Sequence, residues 1–400
     1  MTETTARPTI QSDPTQPVGP LSGVRVVELA TVIMGPWATS QLGDLGADVI
    51  KVEPPRGDMT RSYSPRRHEG MGAGTLNVNR NKRSIVLDLG AADDLAAFRA
   101  LLATADVFVT NLRPHALERF GLDHASVSRD FPELIHVNAQ GYRSGTAQAD
   151  DAAYDDVIQA VTGMVDMNRR VTGEASYLPT IIADKVAGLY IVQGVLAALL
   201  ARAAGQGGQH VEVPMVDALL AFSLIDHLEA ATFVPDDGEP EGEIGYRRVL
   251  NRHRRALEAS DGTLCIFPVS DRNWRDFTTY AGRPDLAEES TLGALATRLA
   301  NPERVSETTT ALARTHTVKQ WLAHCEAHGI PAAPVLTLDE AARTDYAVEG
   351  GVLTEADHPT EGRYRLIGPA VRYDATPTRL YRHCPQLGEH TDEILAELDL

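Results

Sequence analysis

One aspartate, Asp184, stands at the start of a long apolar segment, residues 177–202, and its carboxylate is the sharpest candidate for chemistry in the sequence. An aspartate at a helix start usually caps the helix by accepting backbone N–H bonds. The same helix terminus favours the ionised side chain, which can then act as a nucleophile near neutral pH. The flanking stretches PTIIA and VAGLY are apolar and would keep water from a reactive acyl intermediate. Both roles, helix cap and nucleophile, therefore remain open for Asp184.

Two basic segments, NRNKRS at 79–84 and NLRPHALERFG at 111–121, adjoin neighbouring predicted strands. Their polar side chains include Arg80, Lys82, Arg83, Asn111, Arg113 and Arg119. Taken alone, the segment at 79–84 is better explained as a solvated turn. Together they favour a phosphate site, because a nucleotide phosphate needs convergent donors from separate loops.

The elements that must position these residues alternate between strands and helices, which predicts an α/β fold with a parallel sheet. The predicted strands are VRVVELA, DVIKVE, SIVLDL, DVFVTNL and LIHVNAQGY, followed later by QHVEVPM. Helical segments separate them, and longer helices are predicted at 154–168 and 184–204. The turn after the first strand lacks the GxGxxG spacing, so a dinucleotide-binding fingerprint is not supported.

The chain divides into four predicted regions. Residues 1–20 form a flexible tail, residues 21–220 a large α/β domain, residues 221–340 a linker and small α+β domain, and residues 341–400 a segment that returns to the large domain. Within the linker, residues 235–262 are polar, rich in turn formers and without periodicity, which indicates a boundary or a long functional loop.

Composition excludes several classes of protein. The net charge of −18 argues against a nucleic-acid partner or an anionic membrane surface. Cys265, Cys325 and Cys384 are far apart, so neither disulfides nor a zinc site is expected, and His324 and His328 have no carboxylate at ligand spacing. The apolar stretch 191–201 is shorter than the roughly 20 residues that a membrane span needs. We therefore expect a soluble cytoplasmic protein without a metal.

In order and spacing, several segments resemble the class III coenzyme A transferases, the family of formyl-CoA transferase, carnitine CoA-transferase and the α-methylacyl-CoA racemases. The matching blocks are LSGVRVVELATVIMGPWATSQLGDLGADVIKVEPPRGDMTR, NRNKRSIVLDL, ADVFVTNLRPHALERFGL, AYDDVIQAVTGM, ADKVAGLYIVQGVLAALLAR, GQHVEVPMVDALLAF and PQLGEHTDEIL. Each string is weak alone, and their order carries the resemblance.

The resemblance implies a homodimer of two interlocked ring-shaped subunits, each with a Rossmann-like large domain that binds coenzyme A and a smaller domain. Asp184 would be the catalytic aspartate. It would attack an acyl-CoA thioester to give a mixed anhydride and then an aspartyl-CoA thioester, from which a carboxylic acid acceptor takes the coenzyme, without metal or ATP. The residues implied to bind coenzyme A are Val32, Lys82, Arg83, Asn111, Leu112 and Arg119.

Some positions depart from the family pattern. The racemases pair their aspartate with a histidine, and Tyr154 occupies the best-aligned position here, which favours transfer over racemisation. Ile33 and the segment NRHRRALEASDG likewise depart from the formyl-CoA transferases. Tyr142, Tyr154 and His253 are candidate substrate-site residues. Two alternatives stay open: a 2-methylacyl-CoA racemase or epimerase, and a catalytically silent CoA-binding protein in which Asp184 only caps its helix.

Overall fold

The computed structural model describes residues 18–235, 238 and 242–400, which form two compact units. Unit 1 contains residues 18–162, 179–222 and 345–400, and unit 2 contains residues 163–178 and the described part of 223–344. The predicted tail, residues 1–20, falls outside the described residues up to residue 17.

The strands are β1 (Arg25–Leu29), β2 (Asp48–Glu53), β3 (Lys82–Val86), β4 (Val107–Thr110), β5 (Ile135–Gln140), β6 (His210–Pro214), β7 (Leu257–Glu258), β8 (Thr263–Ile266), β9 (Ala332–Pro334), β10 (Leu353–His358) and β11 (Gly362–Ile367). The helices are α1 (Met34–Asp44), α2 (Ala73–Val78), α3 (Ala92–Ala103), α4 (Pro114–Phe120), α5 (His124–Asp130), α6 (Asp155–Val161), α7 (Met164–Thr172), α8 (Ile182–Ala203), α9 (Met215–His227), α10 (Asp271–Tyr280), α11 (Leu295–Ala300), α12 (Pro302–Ala313), α13 (Val318–His328), α14 (Leu338–Ala341), α15 (Asp345–Glu349) and α16 (Thr391–Glu397).

Unit 1 is organised around a six-stranded sheet in the order β3-β2-β1-β4-β5-β6. Every neighbouring pair in this sheet is parallel. This is the strand order of doubly wound Rossmann sheets, whose ligands bind at the carboxyl ends of the strands. The predicted α/β fold with a parallel sheet is confirmed.

Apolar side chains cover both faces of the sheet, as parallel strands require. On one face Val27, Ile50 and Phe108 pack with residues of α3, α4 and α5 in a continuous core. On the other face α8 packs against α1, β5 and β6. The carboxyl end of β1 therefore opens directly into the start of α1 beside α8.

The helix predicted at 154–168 is two helices. α6 ends at Val161 and α7 begins at Met164, and the intervening Gly163 has φ 83°. Glycine adopts this left-handed conformation without the steric penalty of a side chain, so the chain can turn there. The sequence did not reveal this break, because the helical periodicity is present on both sides of Gly163.

The sequence expectation that no segment is long enough to span a bilayer is wrong for α8. By length and composition alone this 22-residue helix, with a mean hydropathy of 1.7 in its most apolar window, could cross a membrane. The expectation failed because it took only the apolar core of the helix, and Ile182–Ala203 continues past it in both directions. A third of that window is buried in the protein, on the side that faces the sheet.

The C-terminal segment adds the antiparallel hairpin β10–β11 and the helix α16 to unit 1. Ile394 of α16 is fully buried in the same core as Phe108. The Arg83 guanidinium on β3 donates to Glu393 at 2.9 Å and also to Glu397, which accepts from Arg25 of β1 at 3.0 Å. The last helix is thus fastened to two strands of the sheet.

Unit 2 has a separate core. Its short antiparallel sheet has the order β7-β8-β9, and α10 and α13 supply the largest buried side chains. Trp274, Phe277 and Trp321 are fully buried there, and the indole N–H groups of the two tryptophans donate to the carbonyls of Leu286 and Ala313.

Candidate active site

Asp184 is the third residue of α8, and the backbone N–H of Met34, the first residue of α1, faces its carboxylate. The amino-terminal ends of two helices therefore meet at this carboxylate. Since α1 follows β1 directly, the site lies at the carboxyl edge of the parallel sheet, where this class of fold binds its ligands.

The helix cap at this position is Asp155 instead of Asp184. Oδ1 of Asp155 accepts from the N–H of Ala183 at 2.6 Å and from the N–H of Asp184 at 3.2 Å, while Gln159 donates to Oδ2 at 2.6 Å. Asp155 is buried and comes from α6. The capping role considered for Asp184 is thus filled by another residue, which leaves the Asp184 side chain available for chemistry.

Burial raises the pKa of Asp184 to about 6, and the negative charge of Asp155 adds to the rise. The Met34 N–H bond opposes these effects without cancelling them. The sequence expectation that the helix terminus would favour the ionised form is therefore corrected: desolvation outweighs the helix dipole here. A carboxyl group with this pKa is mainly ionised at pH 7 and is more basic than an ordinary aspartate.

Close packing between α1 and α8 fixes the position of Asp184. One turn after Asp184, Gly188 faces the indole ring of Trp37 in α1. A methyl group at Gly188 would lie 2.7 Å from the Trp37 ring and 3.3 Å from the Met34 carbonyl oxygen. Glycine is required because a side chain would push apart the two helices whose ends hold the carboxylate.

The turn between β1 and α1 has a strained backbone at Val32, whose φ is 67°. A β-branched residue is unfavourable in this left-handed region, and such strain persists only where surrounding contacts hold it. The Val32 N–H donates to the Asp58 carboxylate at 3.1 Å. The Asn111 side chain accepts from the N–H of Thr31 and donates to its carbonyl. The segments that follow β2 and β4 thus hold the turn that precedes Met34.

A buried ion network lies beneath this turn. Glu28 accepts from Lys51 at 2.8 Å and from Lys82 at 2.7 Å, and Lys51 also donates to Asp58 and to the Ala30 carbonyl. The side chains are at most 1% exposed, and the two lysines balance the two carboxylates in charge. Burial lowers the pKa of Lys82 to about 8, against the opposing pull of Glu28. The network connects strands β1, β2 and β3 to the Asp58 carboxylate that holds Val32.

The predicted coenzyme-binding residues therefore fall into two groups. Val32, Asn111 and Leu112 lie in the turns after β1 and β4, and Arg119 is exposed on α4, with its guanidinium carbon 6.0 Å from the Phe120 ring centre.

Lys82 and Arg83 are instead engaged inside unit 1. The Lys82 ammonium donates to Glu28, Asn79 and the Pro36 carbonyl, which uses its three hydrogens. Each guanidinium nitrogen of Arg83 donates to a carboxylate of β2 or α16. The structure thus corrects the prediction that the basic turn is a phosphate clamp, because these two cations have internal partners and no hydrogens to spare.

The candidate substrate residues are dispersed. Tyr154 is 61% exposed and directly precedes Asp155, while Tyr142 is half-buried just after β5. His253 belongs to unit 2, where it lines a cavity of about 400 Å³ together with Arg248, Arg254 and Arg255. The predicted functional loop, 235–262, of which 236, 237 and 239–241 are outside the described residues, contributes these cations.

Sequence reasoning missed Asp155, Asp58 and Met34. Asp155 and Gln159 have the i, i+4 spacing of a hydrogen-bonded pair on a helix, which was the one available signal for a buried Asp155. Asp58 stands in the polar segment RGDMTR and gives no sign of its contact with Val32. Met34 contributes its backbone N–H, which no side-chain pattern reveals.

Comparison with known proteins shows the family of this chain. A profile of CoA-transferase family III matches residues 21–391. The succinate–glutarate CoA-transferase of Agrobacterium fabrum is 30% identical, over 95% of this chain and 96% of its own. The succinyl-CoA–L-malate CoA-transferase beta subunit of Chloroflexus aurantiacus is 31% identical, over 95% and 94%. The crystal structure of a CaiB/BaiF family protein from Brucella suis has 29% identity and a TM-score of 0.79, over 96% of this chain and all of that one. The chain belongs to CoA-transferase family III.

Proposed function

We propose that this enzyme moves coenzyme A from an acyl-CoA thioester to a free carboxylic acid, with Asp184 as the nucleophile. The observation that carries the proposal is the half-buried Asp184 carboxylate near the amino ends of two helices, which is free of the capping role because Asp155 caps α8.

The reaction proceeds through covalent intermediates on Asp184. A carboxylate oxygen attacks the thioester carbon, the C–S bond breaks, and CoA thiolate leaves a mixed anhydride. The thiolate then attacks the aspartyl carbonyl and releases the first acid as its carboxylate. The acceptor carboxylate next attacks the aspartyl-CoA thioester, and the thiolate returns to the acceptor carbonyl, which regenerates Asp184. One thioester is consumed and one is formed, so no external energy source is needed.

The site favours this sequence by excluding water and by keeping the reacting groups close. Hydrolysis of the anhydride or of the aspartyl thioester would waste the coenzyme. Apolar residues Ala183, Val186 and Ala187 are buried beside Asp184, which supports a dry environment for both intermediates.

For the substrates we propose short dicarboxylic acids and their CoA thioesters. The relatives above are named for succinate, glutarate and malate, all of which carry two carboxyl groups. A second carboxylate on the acceptor needs a cation to pair with it.

We further propose that the enzyme is a homodimer. Leu189, Leu196 and Leu200 recur along one side of α8 and are 53%, 37% and 73% exposed. Such a stripe on a long helix is unfavourable in water and is typical of a surface that another chain covers.

The proposal is tested by trapping the intermediate. Full-length enzyme is incubated with succinyl-CoA or glutaryl-CoA and then treated with hydroxylamine or borohydride, and the modified peptide is located by mass spectrometry. We expect modification at Asp184 in the wild type, and neither modification nor transfer in Asp184→Ala. Asp156→Asn, an exposed neighbour of Asp155, is the control and should behave as the wild type. Substantial transfer by Asp184→Ala, or modification at another residue, would refute the mechanism.

A further inference from the structure

Three histidines cluster at the opposite, amino-terminal edge of the parallel sheet. His136 is the second residue of β5, His210 is the first residue of β6, and the two are direct partners in the parallel register. His124 begins α5, which packs over β5. Asp184 and the β1–α1 turn belong to the carboxyl edge, so the cluster is separate from the candidate active site.

The imidazole rings stack closely. The ring centres of His124 and His210 are 4.2 Å apart, and those of His136 and His210 are 5.5 Å apart. One nitrogen from each ring lies within 4.8 Å of the other two. Three imidazoles that share such a small space are chemically a nitrogen ligand set.

Three nitrogens of this cluster, two on His136 and one on His210, lack partners among the described residues, whereas Nδ1 of His124 lies 3.0 Å from the Ser128 hydroxyl. His136 is 1% exposed, and neither of its ring nitrogens makes a hydrogen bond; the amide of Asn138 approaches without reaching hydrogen-bond geometry. Nε2 of His210 is also buried and unpaired. Buried polar groups are nearly always satisfied, and each one left without a partner costs free energy, so the arrangement calls for a ligand.

The surroundings favour a neutral imidazole that can coordinate a cation. Burial lowers the pKa of His136 to about 3, and the neighbouring His210 and His124 add to the effect. Burial likewise lowers the pKa of His210. The carboxylates of Asp123 and Glu212 act on the cluster from α5 and β6 and supply negative charge near a bound ion.

We propose that His124, His136 and His210 bind one divalent first-row transition metal ion, of which Zn²⁺ is the best fit. Zinc binds imidazole nitrogens at about 2.0–2.1 Å, so the ligand atoms would close to roughly 3.3 Å from one another. The exposed His124 at the helix start can make this adjustment. A water molecule completes the tetrahedron on the solvent side.

The bound ion would join α5 to two strands of the sheet and stabilise the edge of unit 1. Its role is structural, because the cluster lies at the sheet edge opposite Asp184. The inference stands independently of the proposed reaction.

The test uses full-length protein stripped with a chelator and then titrated with Zn²⁺ by calorimetry and with Co²⁺ by visible absorption. We expect one equivalent to bind, tetrahedral Co²⁺ bands, and a higher melting temperature with Zn²⁺. His124→Gln and His210→Gln should each weaken binding by roughly tenfold or more. His115→Gln, on exposed α4, is the matched control, and His324→Gln tests the histidines of α13; both should bind as the wild type does.

Three outcomes would overturn the inference: no Zn²⁺ binding by wild type, affinity unchanged in both His124→Gln and His210→Gln, or binding lost in His324→Gln. The first would leave the cluster as a stack of neutral histidines. Transferase activity of the stripped enzyme distinguishes a structural ion from a catalytic one, since we expect the activity to persist at a temperature where the protein stays folded.

Discussion

At the scale of single residues, burial of the ionised Asp184 carboxylate lowers the stability of the folded protein. Its pKa is about 6 in the folded protein against an ordinary value of 3.8, so the folded state binds a proton more tightly than the unfolded chain does. Between these two values, stability falls as the pH rises, and above pH 6 the full cost of the buried charge is present. Reactive groups commonly carry such a burden, because the environment that makes them basic also disfavours their charge.

The first prediction concerns that cost. Asp184→Asn keeps the shape and an acceptor for the Met34 N–H but has no charge, so it should abolish transfer and stabilise the protein at pH 8 by up to about 3 kcal/mol. The gain should vanish near pH 4, where the aspartate is protonated in the fold. Urea unfolding at both pH values measures the difference. A variant less stable than the wild type at pH 8 would contradict the reasoning.

The second prediction concerns Asp155, whose charge raises the pKa of Asp184. We expect kcat/KM of the wild type to decline as the pH falls through about 6, because a protonated Asp184 cannot attack. Asp155→Asn keeps an oxygen for the Ala183 N–H and removes the charge, so the decline should move to lower pH by roughly half a unit to one unit. A pH profile of kcat/KM measures this, with Asp156→Asn as control. An unchanged midpoint would show that Asp155 only caps α8.

At the scale of elements, the site depends on how closely α1 and α8 approach. Their amino ends converge on one carboxylate because Gly188 admits the Trp37 ring. From below, the network of Glu28, Lys51 and Asp58 holds Val32 in its left-handed conformation and so sets where α1 begins.

Gly188→Ala should therefore damage both stability and activity. The added methyl group would lie 2.7 Å from Trp37, and relieving that overlap should cost about 1–3 kcal/mol. Activity should fall further than stability explains, because the helices that position Asp184 must separate. Gly74→Ala in α2, where an added methyl meets nothing within 4 Å, is the control. Thermal melts and kcat of both variants measure the contrast, and equal behaviour would rule out the packing argument.

The elements themselves were largely predictable and their contacts were not. Apolar runs such as VRVVEL and DVIKVE identify strands because a parallel sheet is buried on both faces. The position of Asp184 at the start of a long apolar helix likewise identified it as the candidate nucleophile. What could not be predicted are partners distant in sequence: Asp155 as the cap of α8, the Met34 N–H on the carboxylate, and the carboxylates that occupy Lys82 and Arg83. Each depends on tertiary distances, which residue type and spacing do not encode.

At the scale of the whole molecule, one side of α8 is apolar and exposed. The helix is apolar all round, yet Leu200 is 73% exposed. An apolar stripe of this kind requires either a protein partner or a lipid.

We expect sedimentation velocity to show a dimer without detergent. Leu200→Glu places a charge on the stripe and should shift the equilibrium towards monomer. Leu338→Glu, at a leucine of unit 2 that is 93% exposed, is the control and should leave the mass unchanged. A monomeric wild type, or one that sediments only with lipid vesicles, would count against the homodimer.

The contacts between α16 and the sheet also affect how the chain folds during its synthesis. Arg83 and Arg25, on strands synthesised early, pair with Asp48 of β2 but find their remaining carboxylate partners on the last helix, and Ile394 of that helix lies in the core formed with the first strands. A nascent chain must therefore hold incompletely paired arginines and an open core while the ribosome adds roughly three hundred further residues. Chains interrupted before residue 397 should be captured by chaperones and proteases, so the cell would accumulate either finished enzyme or none.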